Sequence, residues 1–186
     1  EIRRHQPHIR YYGLDFAQNF IPMARNNVVD WGQLVRADAI NIPFQSDCFH
    51  SVLEMDAIHH FPRGLLPACV IEVARVIKPG GRLISVEDWA CDPVNERQHL
   101  ADSLQRRRPL VWQNLEYHPR EEEWQTCFSR AGFQIERLEH VLRPLNLDQF
   151  MNLEGDEAKT ELYQLRRLWG EETPTTTMTL FICRKR

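Results

Sequence analysis

Carboxylate side chains follow several short apolar runs of this sequence, at the positions where the runs end. Asp15, Asp38 and Asp56 each follow one run, and Glu87 with Asp88 follows a fourth. Open α/β sheets bind ligands at the carboxyl ends of their strands, and a carboxylate there can accept hydrogen bonds from hydroxyl and amino groups. The pattern therefore predicts a ligand site along one sheet edge. Each acid also has a simpler interpretation, as a helix cap or a turn residue.

Two adjacent histidines, His59 and His60, come shortly after the third run. A neutral imidazole titrates near physiological pH and could take a proton from a reacting group, so both are candidate catalytic residues. The alternative is that one of them packs or caps the following helix. Adjacent side chains of an extended segment point apart, so the pair does not indicate a shared metal ion, and we predict no metal site.

The elements that must position these residues follow from the hydrophobic periodicity. Predicted strands cover residues 9–14, 33–37, 50–55, 82–86, 133–142 and 175–183, and predicted helices cover 16–26, 65–77, 121–131 and 147–169. Residues 90–119 are polar and mostly helical in pattern. The alternation of apolar strands with helices predicts an α/β fold whose parallel sheet is covered on both faces. Asp15 is the predicted N-cap of the first helix, and K-P-G-G at 78–81 is a turn signal.

Four segments resemble the class I, S-adenosylmethionine-dependent methyltransferases of the small-molecule type, in the order of that family. They read G-L-D-F-A-Q-N-F-I-P-M-A-R, R-A-D-A-I-N-I-P-F, D-A-I-H-H-F and E-V-A-R-V-I-K-P-G-G-R-L-I-S-V-E-D, and A-G-F follows at 131–133. The resemblance implies a Rossmann-like methyltransferase sheet, mostly parallel, with an antiparallel C-terminal strand. It also implies a single domain over 1–186, in which residues 1–90 bind the cofactor and residues 90–130 and 144–170 form lid or substrate elements.

The same resemblance assigns the candidate site residues. The cofactor, S-adenosyl-L-methionine, would contact Asp15, Phe16, Asp38, Ala39, Met55 and Asp56, with Asp15 on the ribose and Asp38 on the adenine amino group. The substrate candidates are Glu87, Asp88, Trp89 and His118. One position departs from the family pattern: Phe49-His50 stands where the family usually has Phe-Asp, so local hydrogen bonding must differ.

The family's acidic, glycine-rich loop does not occur upstream of Asp15. We therefore expect the sequence to begin inside the first strand–helix unit, with the first strand missing and a gap or an unpaired edge left in the sheet. Such an edge favours self-association into a homo-oligomer. Either a truncated sequence or a non-catalytic relative of the family would explain the missing loop, so the activity of this chain alone stays open.

Composition and charge indicate which partners and which cellular location to expect. The chain has 186 residues, 42% of them hydrophobic, and a net charge of −3, which argues against a nucleic-acid partner. No apolar run could span a bilayer, no signal core is present, and five scattered cysteines indicate reduced thiols, so we expect a cytoplasmic protein.

Methyl transfer depends mainly on positioning, which agrees with the lack of an obvious catalytic set. The alternatives are an RNA-modifying methyltransferase, suggested by the arginines at 106–108, and a dinucleotide-dependent oxidoreductase, which also places an acid after its second strand.

Overall fold

The computed structural model of the chain describes residues 8–28, 32–88, 95–106, 119–144, 156–170 and 175–186. Its elements, in chain order, are β1 (Tyr11–Asp15), α1 (Phe20–Val28), β2 (Gly32–Arg36), β3 (Phe49–Met55), α2 (Leu66–Val76), β4 (Ile77–Asp88), α3 (Glu96–Arg106), α4 (Glu121–Arg130), β5 (Phe133–Pro144), α5 (Asp156–Trp169) and β6 (Thr175–Lys185). A short 3-10 helix, Ile58–His60, follows β3. The predicted α/β class is confirmed.

The strands form two separate hydrogen-bonded sheets. β1 and β2 pair in parallel, and the second sheet has the order β3-β4-β6-β5. β3 and β4 are parallel, whereas β6 runs antiparallel to both β4 and β5. The antiparallel C-terminal strand is therefore confirmed. Among the described strands no ladder joins β1 to β3, which is where the predicted gap falls.

Aromatic side chains connect the two sheets across this gap. The ring of Tyr12 on β1 lies 5.3 Å from that of Phe44 and 5.7 Å from that of Phe49, both edge-to-face. Tyr12 is near the amino end of β1 and Phe49 is the first residue of β3, so the amino ends of these strands lie side by side. This arrangement directs their carboxyl ends toward one edge.

The hydrophobic core lies between the four-stranded sheet and helices α2 and α4. α2 contributes Leu66, Cys69, Val70, Val73 and Val76, whose spacing of three and four residues gives one apolar face. α4 contributes Trp124 and Phe128, which stack with ring centroids 5.5 Å apart, and Phe128 meets Phe181 of β6 edge-to-face. These fully buried aromatic rings join α4 to β6 and hold the far side of the sheet together.

The K-P-G-G turn lies inside β4 as an irregularity of the ladder. Phe49 pairs with Ile77, but Ser51 pairs with Arg82, so residues 78–81 face a single residue of β3. A Cβ on Gly81 would lie 2.7 Å from the backbone oxygen of His50, which only glycine avoids. His50 occupies the family's usual aspartate position, and its Nε2 accepts a hydrogen bond from Lys78 Nζ at 3.1 Å.

The prediction that Asp15 caps the first helix is wrong. Helix α1 begins only at Phe20, and Asp15 Oδ1 instead accepts the backbone N–H of Ala17 at 2.7 Å, which closes a turn. Pro22 explains the later start, because proline is tolerated in the first turn of a helix but not in its interior. A helix starting at residue 16 would have placed Pro22 in its second turn.

The cysteines of the described residues are free thiols. Cys48 is exposed, whereas Cys69, Cys127 and Cys183 are buried. Burial raises the pKa of Cys69 and Cys183 to about 12 and that of Cys127 to about 11. The buried thiols therefore act as small apolar groups of the core. None of the described helices combines the length and apolar content that a membrane crossing requires.

Candidate active site

Asp15 and Asp38 stand beside each other at the ends of β1 and β2. The two strands are parallel, with Asp15 opposite Arg36, so their carboxyl ends share an edge. Asp38 Oδ1 accepts the backbone N–H of Ile40 at 3.1 Å, a local bond similar to that of Asp15 with Ala17. Within the described residues, Oδ2 of both carboxylates has no hydrogen-bond partner.

The surroundings of these two carboxylates suit a nucleoside. Phe16, directly after Asp15, exposes 67% of its surface, and Ala39, directly after Asp38, is half-buried. Arg36 fixes the loop after β1 by donating to the backbone oxygen of Phe16 at 3.2 Å. A carboxylate that is held locally through one oxygen and offers the other can bind a hydroxyl or amino group without being reorganised. The residues present therefore fit the adenosine part of the cofactor that the sequence predicts.

A second group of polar residues lies at the ends of β3 and β4. Met55 ends β3 and exposes 58% of its surface, and Asp56 follows with a φ of 52°, an unusual value for a residue other than glycine. Arg143 of β5 bonds the Oδ2 atoms of both Asp56 and Asp88, and its bond to Asp88 measures 2.6 Å. One guanidinium thus ties the end of β3 to the end of β4.

Glu54 holds the turn that carries Asp56. This carboxylate is buried, and its Oε1 accepts the backbone N–H groups of Ala57 at 2.8 Å and Ile58 at 3.1 Å. Its Oε2 accepts the hydroxyl of Ser85 on β4 at 2.6 Å. With these donors in place, the turn between β3 and the 3-10 helix is anchored to the neighbouring strand.

His59 and Glu87 form a buried pair behind this turn. His59 Nδ1 lies 2.7 Å from Glu87 Oε2, and their side chains are only 5% and 0% exposed. Burial, and then the neighbouring His60, lowers the pKa of His59 to about 4, while burial, and then Glu54, raises the pKa of Glu87 well above its usual range. Both shifts favour the neutral forms of the two groups.

The two predicted histidines occupy different environments. His60 is exposed, although its ring lies 4.3 Å from that of His59, whereas His59 is directed into the protein. The prediction that no metal is bound rests on His59 and His60 as joint ligands. In the structure His59 instead lies beside carboxylates of other elements. One potential metal-ligand atom from each of Asp56, His59 and Glu87 lies within 4.8 Å of the other two.

Two members of the site escaped the sequence analysis. Arg143 lies 87 positions from Asp56, and no local pattern marks it. Glu54 stands at an inward-facing position of β3, two residues after the half-buried Val52, and an acid in such a position is a signal that could have been used. The substrate candidates Glu87 and Asp88 are buried at the end of β4, and Trp89 and His118 lie outside the described residues.

The fold is that of the class I methyltransferases: parallel strands carry acidic residues at their carboxyl ends, and β6 runs antiparallel between β4 and β5. A family model described as "Methyltransferase domain" matches residues 2–85. Residues 2–85, somewhat less than half of the chain, are therefore similar to the S-adenosylmethionine-dependent methyltransferases of this family.

Curated relatives share only part of their length with this chain. The phthiotriol/phenolphthiotriol dimycocerosates methyltransferase of Mycobacterium leprae is 32% identical in an alignment of 128 residues that covers 56% of this chain and 47% of that protein. The probable tRNA methyltransferase 9B of Mus musculus is 30% identical over 93 residues, which are 50% of this chain and 20% of that protein. This chain thus spans less than half the length of either relative.

A solved structure resembles the chain over nearly all of its length. The BH2331 protein from Bacillus halodurans C-125 superposes with a TM-score of 0.70 at 22% identity, covering 95% of this chain and 83% of its own. At this identity the likeness establishes the fold.

Proposed function

We propose that this chain transfers a methyl group from S-adenosyl-L-methionine to a small-molecule acceptor. The observation that carries the proposal is the set of acids at strand ends: Asp15 and Asp38 at β1 and β2, and Asp56 and Asp88 at β3 and β4. This edge is where α/β sheets bind ligands. The family match and the small-molecule methyltransferase among the relatives support the same reaction.

The cofactor would be held by residues already in position. Oδ2 of Asp15 is available to ribose hydroxyls and Oδ2 of Asp38 to the adenine amino group, while Phe16 and Ala39 offer adjoining apolar surface. Met55 and Asp56 would meet the methionine end. When bound, the sulfonium of the cofactor supplies an electrophilic methyl group, and the chain contributes orientation and exclusion of water.

His59 is the stronger of the two catalytic candidates. Glu87 holds its Nδ1 and thereby orients the ring, so that Nε2 is the nitrogen directed away from Glu87. An imidazole oriented in this way can take the proton that an acceptor hydroxyl or amine loses on methylation. Asp88, held by Arg143, would help to position the acceptor. Residues 90–130 and 144–170 remain the proposed lid and substrate elements.

Calorimetry with S-adenosylhomocysteine tests the cofactor site. Asp15→Asn keeps the bond to Ala17 but removes the charge, and hydrogen bonds to a charged group contribute about 1.5–3 kcal/mol, so the affinity should fall about 10- to 100-fold. Asp47→Asn is the matched control, because Asp47 precedes β3 at the opposite end and pairs with Lys185. Equal losses in both variants would reject the assigned role of Asp15.

The wild-type chain provides the decisive comparison between reactions. If the folded protein binds S-adenosylhomocysteine and NAD does not compete, methyl transfer is supported over hydride transfer. Binding of NAD alone would overturn the proposal in favour of the oxidoreductase alternative. Cofactor binding without methylation of any small-molecule acceptor would leave a non-catalytic, cofactor-binding relative of the family.

An RNA acceptor is the second candidate, because a tRNA methyltransferase is among the matched relatives. The side chains of the arginines at 106–108, on which the sequence argument depends, lie outside the described residues. Filter binding of tRNA at two salt concentrations tests this candidate: phosphate contacts require binding that weakens as salt rises. No salt-dependent binding would reject it.

Two further expectations stay predictions. Self-association through the open edges of β1 and β3 is checked by light scattering on the purified chain, and a monomer at all concentrations would contradict it. A cytoplasmic location is checked by fractionation of the source cells.

A further inference from the structure

Four carboxylates converge at the ends of β3 and β4: Glu54, Asp56, Glu87 and Asp88. Glu54 is satisfied by two backbone N–H groups and one hydroxyl. Arg143 binds one oxygen each of Asp56 and Asp88. Arg143 thus donates to two of the four acids, and most of the group is shielded from water.

Buried oxygens of this group lack a hydrogen-bond donor. Asp56 Oδ1 and Glu87 Oε1 are among those that have no hydrogen-bond partner in the part of the chain that the structure describes. Glu87 is fully buried. A buried carboxylate oxygen without a donor is costly, and natural proteins satisfy it with a proton, a hydrogen-bond donor or a metal ion. A divalent cation bound beside these oxygens would satisfy them.

The spacing of the potential ligand atoms around these oxygens suits one metal ion. One atom each of Asp56, His59 and Glu87 lie within 4.8 Å of one another. Bonds of about 2.1 Å place adjacent ligands about 3 Å apart and opposite ligands about 4.2 Å apart. The 2.7 Å between His59 Nδ1 and Glu87 Oε2 fits adjacent ligands, so an ion could replace the proton of that hydrogen bond after small shifts.

We propose that Asp56, His59 and Glu87 form a binding site for one divalent transition-metal ion. Two carboxylates and one imidazole suit Mn²⁺ or Zn²⁺ better than Mg²⁺ or Ca²⁺, which prefer oxygen ligands alone. Three protein ligands leave positions open for water or another oxygen ligand. The bonds of Glu54 to Ala57 and Ile58 hold in place the turn that carries two of the ligands. The metal site does not depend on methyl transfer.

Binding of the metal alone tests the proposal. The full chain is stripped with a chelator and titrated with Mn²⁺, and the unbound ion is followed by electron paramagnetic resonance. We expect saturable uptake of one ion per chain, with spin-echo modulation from an imidazole nitrogen. Zn²⁺, followed by calorimetry, should compete for the same site.

Variants separate this site from others. Changes to outer-shell partners already cost 10- to 100-fold in metal affinity, so Glu87→Gln and Asp56→Asn should each cost at least about tenfold. Arg143→Gln removes a competing cation from Asp56 and should strengthen binding. Glu136→Gln is the matched control, because Glu136 pairs with Arg82 and Arg184 elsewhere on the sheet.

Several outcomes would overturn the proposal. If the folded wild-type chain takes up neither Mn²⁺ nor Zn²⁺ at millimolar concentration, a proton and not a metal ion lies between His59 and Glu87, and the proposal is wrong. Uptake with equal affinity in wild type, Glu87→Gln and Asp56→Asn, or without the nitrogen signature, would place the ion elsewhere. If a variant does not fold, the wild-type melting temperature decides: specific binding must raise it, and no rise rejects the site. Binding of S-adenosylhomocysteine, measured in parallel, reports separately on the proposed function.

Discussion

Glu54 offers a sharp test of how the site is built. Its buried carboxylate accepts the N–H groups of Ala57 and Ile58 and the hydroxyl of Ser85, and these bonds fix the turn bearing Asp56. Glu54→Ala removes the acceptor and leaves the donors behind. Glu54→Gln keeps an oxygen for the two N–H groups, and Ser85 can turn to accept from the new amide. The two variants therefore separate the loss of the acceptor from the loss of the charge.

The expected magnitude follows from the donors that are orphaned. A buried donor left without a partner costs about 1–3 kcal/mol. The Ser85 hydroxyl can rotate toward another acceptor, so only the two N–H groups are counted, which predicts a loss of about 2–6 kcal/mol for Glu54→Ala. Glu54→Gln should lose less than about 1 kcal/mol, because the amide keeps all three hydrogen-bond partners, as neutral bonds in place of charged ones, and relieves repulsion on Glu87.

Urea unfolding followed by circular dichroism measures both free energies, with the slope of the transition as a check on two-state behaviour. Globular proteins are stable by about 5–15 kcal/mol. A loss of about 2–6 kcal/mol therefore leaves Glu54→Ala folded if the wild type is in the upper part of that range, and unfolds it if the wild type is at the lower end. A loss below about 1 kcal/mol for Glu54→Ala would refute the reasoning, since the N–H groups would then be satisfied without the carboxylate. Equal, large losses in both variants would show that the charge, not the acceptor, matters.

Three further predictions concern the rest of the chain. Gly81→Ala should destabilise the fold by about 1–3 kcal/mol in urea titrations, because its Cβ would meet backbone oxygens, whereas Gly64→Ala, which meets nothing within 4 Å, should be neutral. The lowered pKa of His59 should reduce stability as pH falls from 6.5 through 4, and the raised pKa of Glu87 should reduce it as pH rises above 4.5. Between pH 4.5 and 6.5 the two groups change the free energy of unfolding in opposite directions, so the wild-type urea midpoint should vary little with pH there. In Glu87→Gln only the histidine titrates, so the urea midpoint should fall as the pH falls. Among described thiols, a maleimide should label Cys48 in the folded chain and the buried ones only after unfolding, as peptide mapping would show.

Local sequence patterns predicted most of the elements. Spacing of three and four residues identified α2 and α4, and apolar runs identified β1, β3 and β6, with ends correct to within a few residues. β4 is longer than predicted, because the K-P-G-G turn is accommodated within the ladder as an irregularity. The start of α1 could also have been predicted correctly, had Pro22 been given more weight than the capping preference of Asp15.

The sequence predicted those site residues whose position depends on the order of neighbouring strands and helices. Residue order places Asp15 and Asp38 at the ends of adjacent strands, and a strand–helix–strand unit brings Glu87 close to the segment after β3. Burial is different, because it depends on what packs over a side chain. Nothing near Glu87 in the sequence shows that it is fully buried and paired with His59.

The sequence by itself determined the class of fold, the strand ends that carry acids and the resemblance to methyltransferases, because these depend on residue types at short and regular spacings. Tertiary structure alone decided which acids share an environment. Arg143 reaches Asp56 across 87 positions because β5 and β6 fold back beside β4. The different burial of His59 and His60, and the buried carboxylate oxygens that lack a donor among the described residues, arise from the same packing, since desolvation and contact depend on three-dimensional neighbours.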